Sequence, residues 1–163
     1  MQLRDVQRPL KDRYRADPTS SQITLRAKGS QDDTTSCSVD LGRAVYQAQA
    51  HAGVGGAGTA ACSGDLLLGA LASCAQLTAQ MVAAAMNVPV RRIEVEVEGD
   101  LDLRGTLGIA KDVAVGFEDI RVRYDIDAPE ATPEQIEALR AKSEQYCVVM
   151  QTLRRPPAVG TAW

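Results

Sequence analysis

The sequence predicts a mixed α and β domain with antiparallel strands, and three observations carry that expectation. Its 163 residues are 45% hydrophobic and 24% charged, the balance of a globular domain. Short runs of alternating polarity stand on either side of one long apolar segment. Only one strand-rich stretch follows that segment, so no series of β-α-β units with a parallel sheet can be built. A chain of this length buries roughly 70% of its unfolded surface, enough for one core.

Residues 1–19 mix basic and acidic side chains with Pro9 and Pro18 and read as a polar leader, either a loose arm or a short surface helix. The domain proper is expected over residues 20–163. From Ile23 onward, short alternating runs separated by Gly and Asp clusters suit two or three antiparallel strands, with GSQDD (residues 29–33) as the clearest turn. GVGGAG at Gly53–Gly58 has the spacing of a dinucleotide-binding fingerprint, but TAACS intervenes before any helix. It reads as a tightly turned loop rather than a cofactor cradle.

Ser63 is the expected N-cap of a helix running to about Asn87, with Asp65 in its first turn. Leu67, Leu71, Cys74, Thr78, Met81 and Ala85 form one stripe, and Leu66, Ala70, Leu77 and Ala84 form the next. A helix apolar around so much of its circumference is expected to be contacted on several sides, at the centre of a domain or between subunits.

In RRIEVEVEGD, Ile93, Val95 and Val97 alternate with Glu94, Glu96 and Glu98; in FEDIRVRYDIDA, Ile120, Val122, Tyr124 and Ile126 alternate with Arg121, Arg123 and Asp125. Paired antiparallel, the glutamates would face the arginines on a solvated surface, each pair adding about 0.2–1 kcal/mol. Thr132, Pro133 and Gln135 spell a capping box at the start of a last helix. Its inward stripe is expected to be Ile136, Leu139, Ser143, Tyr146 and Met150, with Cys147 at or near its end.

Composition also excludes. A net charge of −3 and only six aromatic residues leave little to attract or stack nucleic acid. No apolar core of signal-peptide length opens the chain, and no later run looks like the ~20 residues of a membrane span, so a cytoplasmic location without a membrane partner is expected. Four cysteines in that compartment stay reduced at rest. Their spacing fits no zinc pattern and His51 is the sole histidine, so neither metal nor cofactor is expected. His51 itself, on a glycine-flanked stretch, reads as exposed or hydrogen-bonded in a loop.

With SGDLLLGALASC at residues 63–74, GDLDLRGTLG at 99–108, VGFEDIRVRYDI at 115–126 and YCVVMQTL at 146–153, the chain resembles the OsmC/Ohr family of osmotically inducible and organic hydroperoxide resistance proteins. The likeness covers roughly residues 22–155. It implies an α+β, OsmC-like fold, with antiparallel sheets wrapped around the central apolar helix of an intertwined homodimer. It also implies a thiol-dependent peroxidase acting on organic hydroperoxides, with Cys74 as the attacking thiol, Cys147 as the resolving thiol and an external dithiol as reductant. Arg26 is the best positional match for the family's thiolate-stabilising arginine, and Arg43 is the second choice. Peroxidase members place a glutamate ten positions before the helix cysteine to orient that arginine; Gly64 stands there, leaving Asp65 as the nearest carboxylate. The proline that usually follows the second cysteine is replaced by Val148.

The chemistry fits those roles. Cys74 lies too deep in its helix for the helix's own positive end to ionise it, so stabilisation must come from elsewhere. A helix C-terminus would oppose ionisation of Cys147 and suit a waiting thiol. Considered singly, a buried cysteine is structural, and Cys37 and Cys62 keep that reading. Cys62 adjoins a helix N-terminus, where unsuspected reactivity would arise. The missing glutamate favours a second reading, a non-catalytic member that binds a small apolar or thiol ligand or senses oxidants. A hydrolase using Cys74 as acyl nucleophile lacks a base in sequence.

Overall fold

The computed structural model describes residues 3–22, 24, 28–31, 36–40 and 45–163. In chain order its elements are α1 (Leu3–Ala16), β1 (Lys28–Gln31), β2 (Ser36–Asp40), β3 (Val45–Gln49), α2 (Ser63–Met86), β4 (Arg92–Asp100), α3 (Leu103–Thr106), β5 (Asp119–Asp127), α4 (Pro133–Tyr146) and α5 (Val148–Arg154). β1, β2 and β3 form an antiparallel meander, and β4 pairs with β5 in a separate two-stranded sheet. Mixed α and β architecture with antiparallel pairing is what the sequence predicted. Within the leader, residues 3–16 are helical.

The chain divides into two compact units, one of Met1–Pro9, Gly69–Val97 and Val122–Trp163, the other of Leu10–Leu68 and Glu98–Arg121. In the first, the core is the Leu71, Ala75, Ala79 and Ala83 stripe of α2 together with Val88, Leu139, Ser143, Cys147 and Met150. Val82, Met86, Val90, Ile93, Ile126 and Ala131 close around Ala83, Val88 and Leu139. The buried stripe of α2 is thus mostly alanine at four-residue spacing, which lets neighbouring elements approach closely. Leu67, Leu77 and Met81, expected to be contacted, are 38%, 59% and 44% exposed. The all-round contact predicted for α2 is therefore not made within this chain. At 24 residues α2 is, by length and composition alone, long and apolar enough to cross a membrane, which corrects the expectation that no run looks like a span.

Helix boundaries follow their caps. Cys62, not Ser63, caps α2: its carbonyl accepts the first helical bond from Leu66 at 3.1 Å, and Asp65 Oδ2 accepts the Cys62 N–H at 2.8 Å. The helix ends in a Schellman motif, with Val88 N–H reaching Ala83 O at 3.0 Å and Asn87 at φ 54°. The Thr132 capping box forms as predicted, Gln135 and Thr132 exchanging side chain to backbone bonds.

In the second unit, His51 Nδ1 accepts the Gly53 N–H at 3.0 Å, and Gly55 takes the left-handed conformation at φ 94°. A Cβ on Gly56 would sit 1.6 Å from the Ala50 carbonyl oxygen. GVGGAG is therefore a tight turn whose glycines permit backbone contact, as expected. Of the expected GSQDD turn, Gly29, Ser30 and Gln31 instead lie in β1, paired with Val39, Ser38 and Cys37, and Asp32 and Asp33 lie outside the described residues. Phe117 packs on Gly99, where an added Cβ would stand 2.7 Å from the ring.

β4 and β5 alternate half-buried apolar and exposed charged residues as predicted. Arg123 pairs with Glu96, Arg92 with Asp125 at 2.8 Å, and Arg121 with Glu98 at 3.5 Å. At these exposures such pairs contribute about 0–1 kcal/mol each and chiefly select register.

Candidate functional site

Two cysteines 73 positions apart in the chain meet in the first unit. Cys74 sits on α2 beside the buried alanine stripe and is half-buried; Cys147 is 0% exposed. Both thiols are free. Their meeting depends on a break the periodicity did not reveal. Cys147 does stand at the end of the last long helix, as expected, but Met150, expected on the same inward stripe, belongs to a second helix: Tyr146 ends α4 and Val148 starts α5, with Cys147 extended between them at φ −73° and ψ 105°. Tyr146, expected on the inward stripe, is 57% exposed. Cys147 is both the last cap of one helix and the first cap of the next, its carbonyl accepting from Gln151 N–H at 2.9 Å. Gln151 Nε2 donates to Glu144 O at 2.8 Å and Arg154 pairs with Glu144 at 3.0 Å, pinning α5 to α4.

The first N–H groups of any helix lack intrahelical acceptors. At α5 they turn toward the sulfurs. Burial pushes the Cys74 thiol up and is the largest single influence. The Val149 N–H, the Cys147 thiol, the Thr78 hydroxyl and the Val148 N–H together outweigh it and hold Cys74 below the ordinary thiol value. Cys147 moves the other way: burial raises it, Met150 and Val149 N–H groups oppose, and the neighbouring Cys74 sulfur raises it further. The pair is thus polarised. One sulfur, half-buried, is shifted toward the thiolate; the other, sealed, is shifted toward the protonated form.

Tyr124, on the half-buried face of β5, lies within electrostatic reach of both sulfurs. Its Oη is buried without a hydrogen-bond partner among the described residues. Burial, the Cys147 and Glu144 charges and Cys74 push it up to about 12 against the pull of Arg154. Leaving such a hydroxyl unpaired costs about 1–3 kcal/mol.

Arg26, together with the alternative Arg43, lies outside the described residues. The groups that lower Cys74 are N–H, O–H and S–H donors, with no cation among the described residues. Asp65 is engaged at its own helix start: the Cys62 backbone and thiol lower it, and His51 adds a small attraction. Gly64 faces Phe117, where an added Cβ would lie 3.3 Å from the ring and 3.5 Å from Cys62 Sγ. Cys37 stands in β2 opposite Ala48. Among the described residues no group of three His, Cys, Asp or Glu side chains could hold a metal ion.

Sequence reasoning missed three contributors. Thr78 was visible one turn beyond Cys74 but was assigned only to an apolar stripe. The Val148 and Val149 N–H groups carry no side-chain signature. Tyr124 was read only as an apolar strand residue.

The OsmC-like protein family model matches residues 56–162. No curated protein matches the chain in sequence. Among solved structures, an OsmC-like protein from Mycoplasma pneumoniae superposes with a TM-score of 0.68 at 16% identity, over 83% of this chain and 90% of that one. An organic hydroperoxide resistance protein OsmC from Legionella pneumophila gives 0.63 at 18% identity, over 83% and 92%. An organic hydroperoxide resistance protein from Elizabethkingia anophelis with thiocyanate bound gives 0.62 at 17% identity, over 83% and 91%. Those likenesses establish the fold, and with the family model matching well over half of the chain, this protein belongs to the OsmC-like family.

Proposed function

We propose that this protein is a thiol-dependent peroxidase that reduces organic hydroperoxides with Cys74 as the attacking thiol and Cys147 as the resolving thiol. One observation carries the reading: the two sulfurs meet with Cys74 held below, and Cys147 above, the ordinary thiol value. Peroxide reduction needs a thiolate that the oxidant can reach and a second thiol that waits. Half-buried Cys74 and sealed Cys147 supply that asymmetry.

In the cycle, the Cys74 thiolate attacks the distal peroxide oxygen, the O–O bond breaks, and the alkoxide leaves as alcohol after taking a proton. Cys74 becomes a sulfenic acid. Cys147 sulfur then attacks Cys74 sulfur, the S–O bond breaks, and water departs, leaving a disulfide. An external dithiol, through two exchange steps, restores both thiols and is itself oxidised.

Arg26, with Asp65 as its orienter, would add to a thiolate preference that peptide donors already create. The Leu67, Leu77 and Met81 face of α2 supports assembly as a homodimer that covers it. A reducing cytoplasm suits thiols that are free at rest. The kinship with proteins called organic hydroperoxide resistance proteins supports the substrate class.

The second reading, ligand binding or oxidant sensing without turnover, is favoured by Gly64, which supplies no carboxylate where peroxidase members have one. Purified protein supplied with cumene hydroperoxide and a dithiol separates the two. Wild type should consume peroxide far faster than Cys74→Ser, and Cys147→Ser should accumulate a sulfenic acid seen as a mass increase of one oxygen. Equal rates for wild type and Cys74→Ser would leave binding or sensing as the function.

A further inference from the structure

Gln151 lies in α5, yet its side chain reaches back to the helix before it. Its Nε2 donates to the Glu144 backbone oxygen at 2.8 Å, in a half-buried bond that the cycle above does not use. Glu144 stands in the last turn of α4, where carbonyls lose their intrahelical donors. In an uninterrupted α-helix that oxygen would accept the N–H four residues on, which belongs to Val148. Here it does not: Cys147 is extended at ψ 105°, and the peptide carrying the Val148 N–H is rotated out of helical register. The Gln151 side-chain amide takes the place of the Val148 main-chain amide, and the Val148 N–H turns to Cys74.

The Gln151 bond and an unbroken helix exclude one another. On a continuous helix residues 144 and 151 would be two turns, about 10.5 Å, apart along the axis, beyond the reach of a glutamine amide to that oxygen. The competing arrangement is a real one, because closing the break would return the Val148 N–H to Glu144 O, and a helix of seven residues has little stability of its own. Arg154 reinforces the fold-back, pairing with the Glu144 carboxylate at 3.0 Å while Arg140 stands 3.7 Å from it on the α4 side. Both arginines are more than half exposed, so these ion pairs add little, whereas the Gln151 bond is partly shielded from water.

We propose that Gln151 is a positioning residue of the thiol pair: by occupying the Glu144 carbonyl it keeps the helix broken at Cys147 and leaves the Val148 N–H to the Cys74 sulfur. Its consequence for turnover rests on the peroxidase reading, in which an ionised Cys74 attacks. Gln151 acts through the peptide it displaces and takes no part in the bonds that form and break.

Gln151→Met keeps the length of the side chain and removes its donor. Alkylation by iodoacetamide, followed across pH by mass at the Cys74 peptide, needs no peroxide. The variant's midpoint should rise, so that Cys74 reacts up to about tenfold more slowly near neutrality and at the wild-type rate once fully ionised. Formation of sulfenic acid with cumene hydroperoxide should show the same displacement in pH. A glutamine that only stabilises the fold would lower the urea midpoint and leave the Cys74 profile where it is, and that result overturns the proposal. A displaced alkylation profile with no sulfenic acid in wild type upholds the positioning role and overturns the peroxidase reading. Should Gln151→Met fail to fold, the wild-type amide spectrum decides. A Val148 N–H resonance that follows the Cys74 titration, together with Gln151 side-chain amide protons protected from exchange, supports the role; failure of either overturns it.

Discussion

Cys62 and Cys147 occupy the same local position, the residue whose carbonyl accepts the first bond of a helix, yet their surroundings differ. Cys62 opens the 24-residue α2, and its backbone N–H and thiol are both turned to the Asp65 carboxylate. Cys147 opens the seven-residue α5, and its thiol faces a second sulfur across a cluster of peptide N–H groups. The longer helix has the larger dipole, but its N-terminal partial charge is already answered by an acid in its first turn. The shorter helix has no acid there. What makes a helix start useful to a thiol is therefore which groups remain to be satisfied, not how long the helix is.

The most severe test is to remove each sulfur in turn. Cys74→Ser should lower peroxide consumption by about a thousandfold or more, since Cys74 is the sulfur held below the ordinary thiol value, whereas Cys62→Ser should leave turnover within about twofold. Comparable losses from both would erase the contrast.

Val148→Pro tests the peptide donors themselves. Cys147 is already extended, as a residue before proline must be, and proline suits the first position of a helix. The substitution removes one N–H that lowers Cys74, so the pH midpoint for alkylation of Cys74 should rise, by up to about one unit if that bond is worth ~1.4 kcal/mol. In wild type that midpoint should fall below that of Cys147, the opposite shifts of the two sulfurs fixing the order.

Thr78→Val keeps shape and removes the hydroxyl donor. A rise in the Cys74 midpoint at least as large as that from Val148→Pro is expected, with Cys147 moving less. The stability consequence has a definite sign. A thiol held below its unfolded value releases its proton more readily when folded, so its contribution is present above the unfolded value near ~8.5 and fades as pH falls through the folded one. Urea titrations of wild type and Thr78→Val should therefore converge as the pH is lowered.

At the Cys62 end, Asp65→Asn should cost about 1 kcal/mol in urea unfolding through the weakened helix start. If peroxide turnover also falls, Asp65 does more than cap its helix, and the arginine-orienting role assigned to it gains support.

Much of the fold was legible because it is local. The alternation of β4 and β5 and the Thr132 capping box each depend on neighbours within a few residues or directly across a hairpin-like pair. Where competing local signals coexisted, the reading slipped: Ser63 and Cys62 both adjoin the helix start, and Gly29, Ser30 and Gln31, read as turn residues, belong to β1. The stripes of α2 were also misjudged, because hydrophobicity says which faces can be buried and not which neighbour arrives. Large Leu77 and Met81 stay exposed while small alanines are buried, the closest packing being available where side chains are smallest.

The sequence by itself determined the element types, the charged face of the β4 and β5 pair and the identity of two cysteines in recognisable segments, since propensity, periodicity and capping act over short stretches of chain. Only the tertiary structure decided that a second helix, α5, restarts at Val148, that its first N–H groups turn toward Cys74, and that the Tyr124 hydroxyl is buried. Backbone amides are the same in every residue and so leave no trace in the letters. Their chemistry appears once folding removes their partners and turns them toward a sulfur 73 positions away.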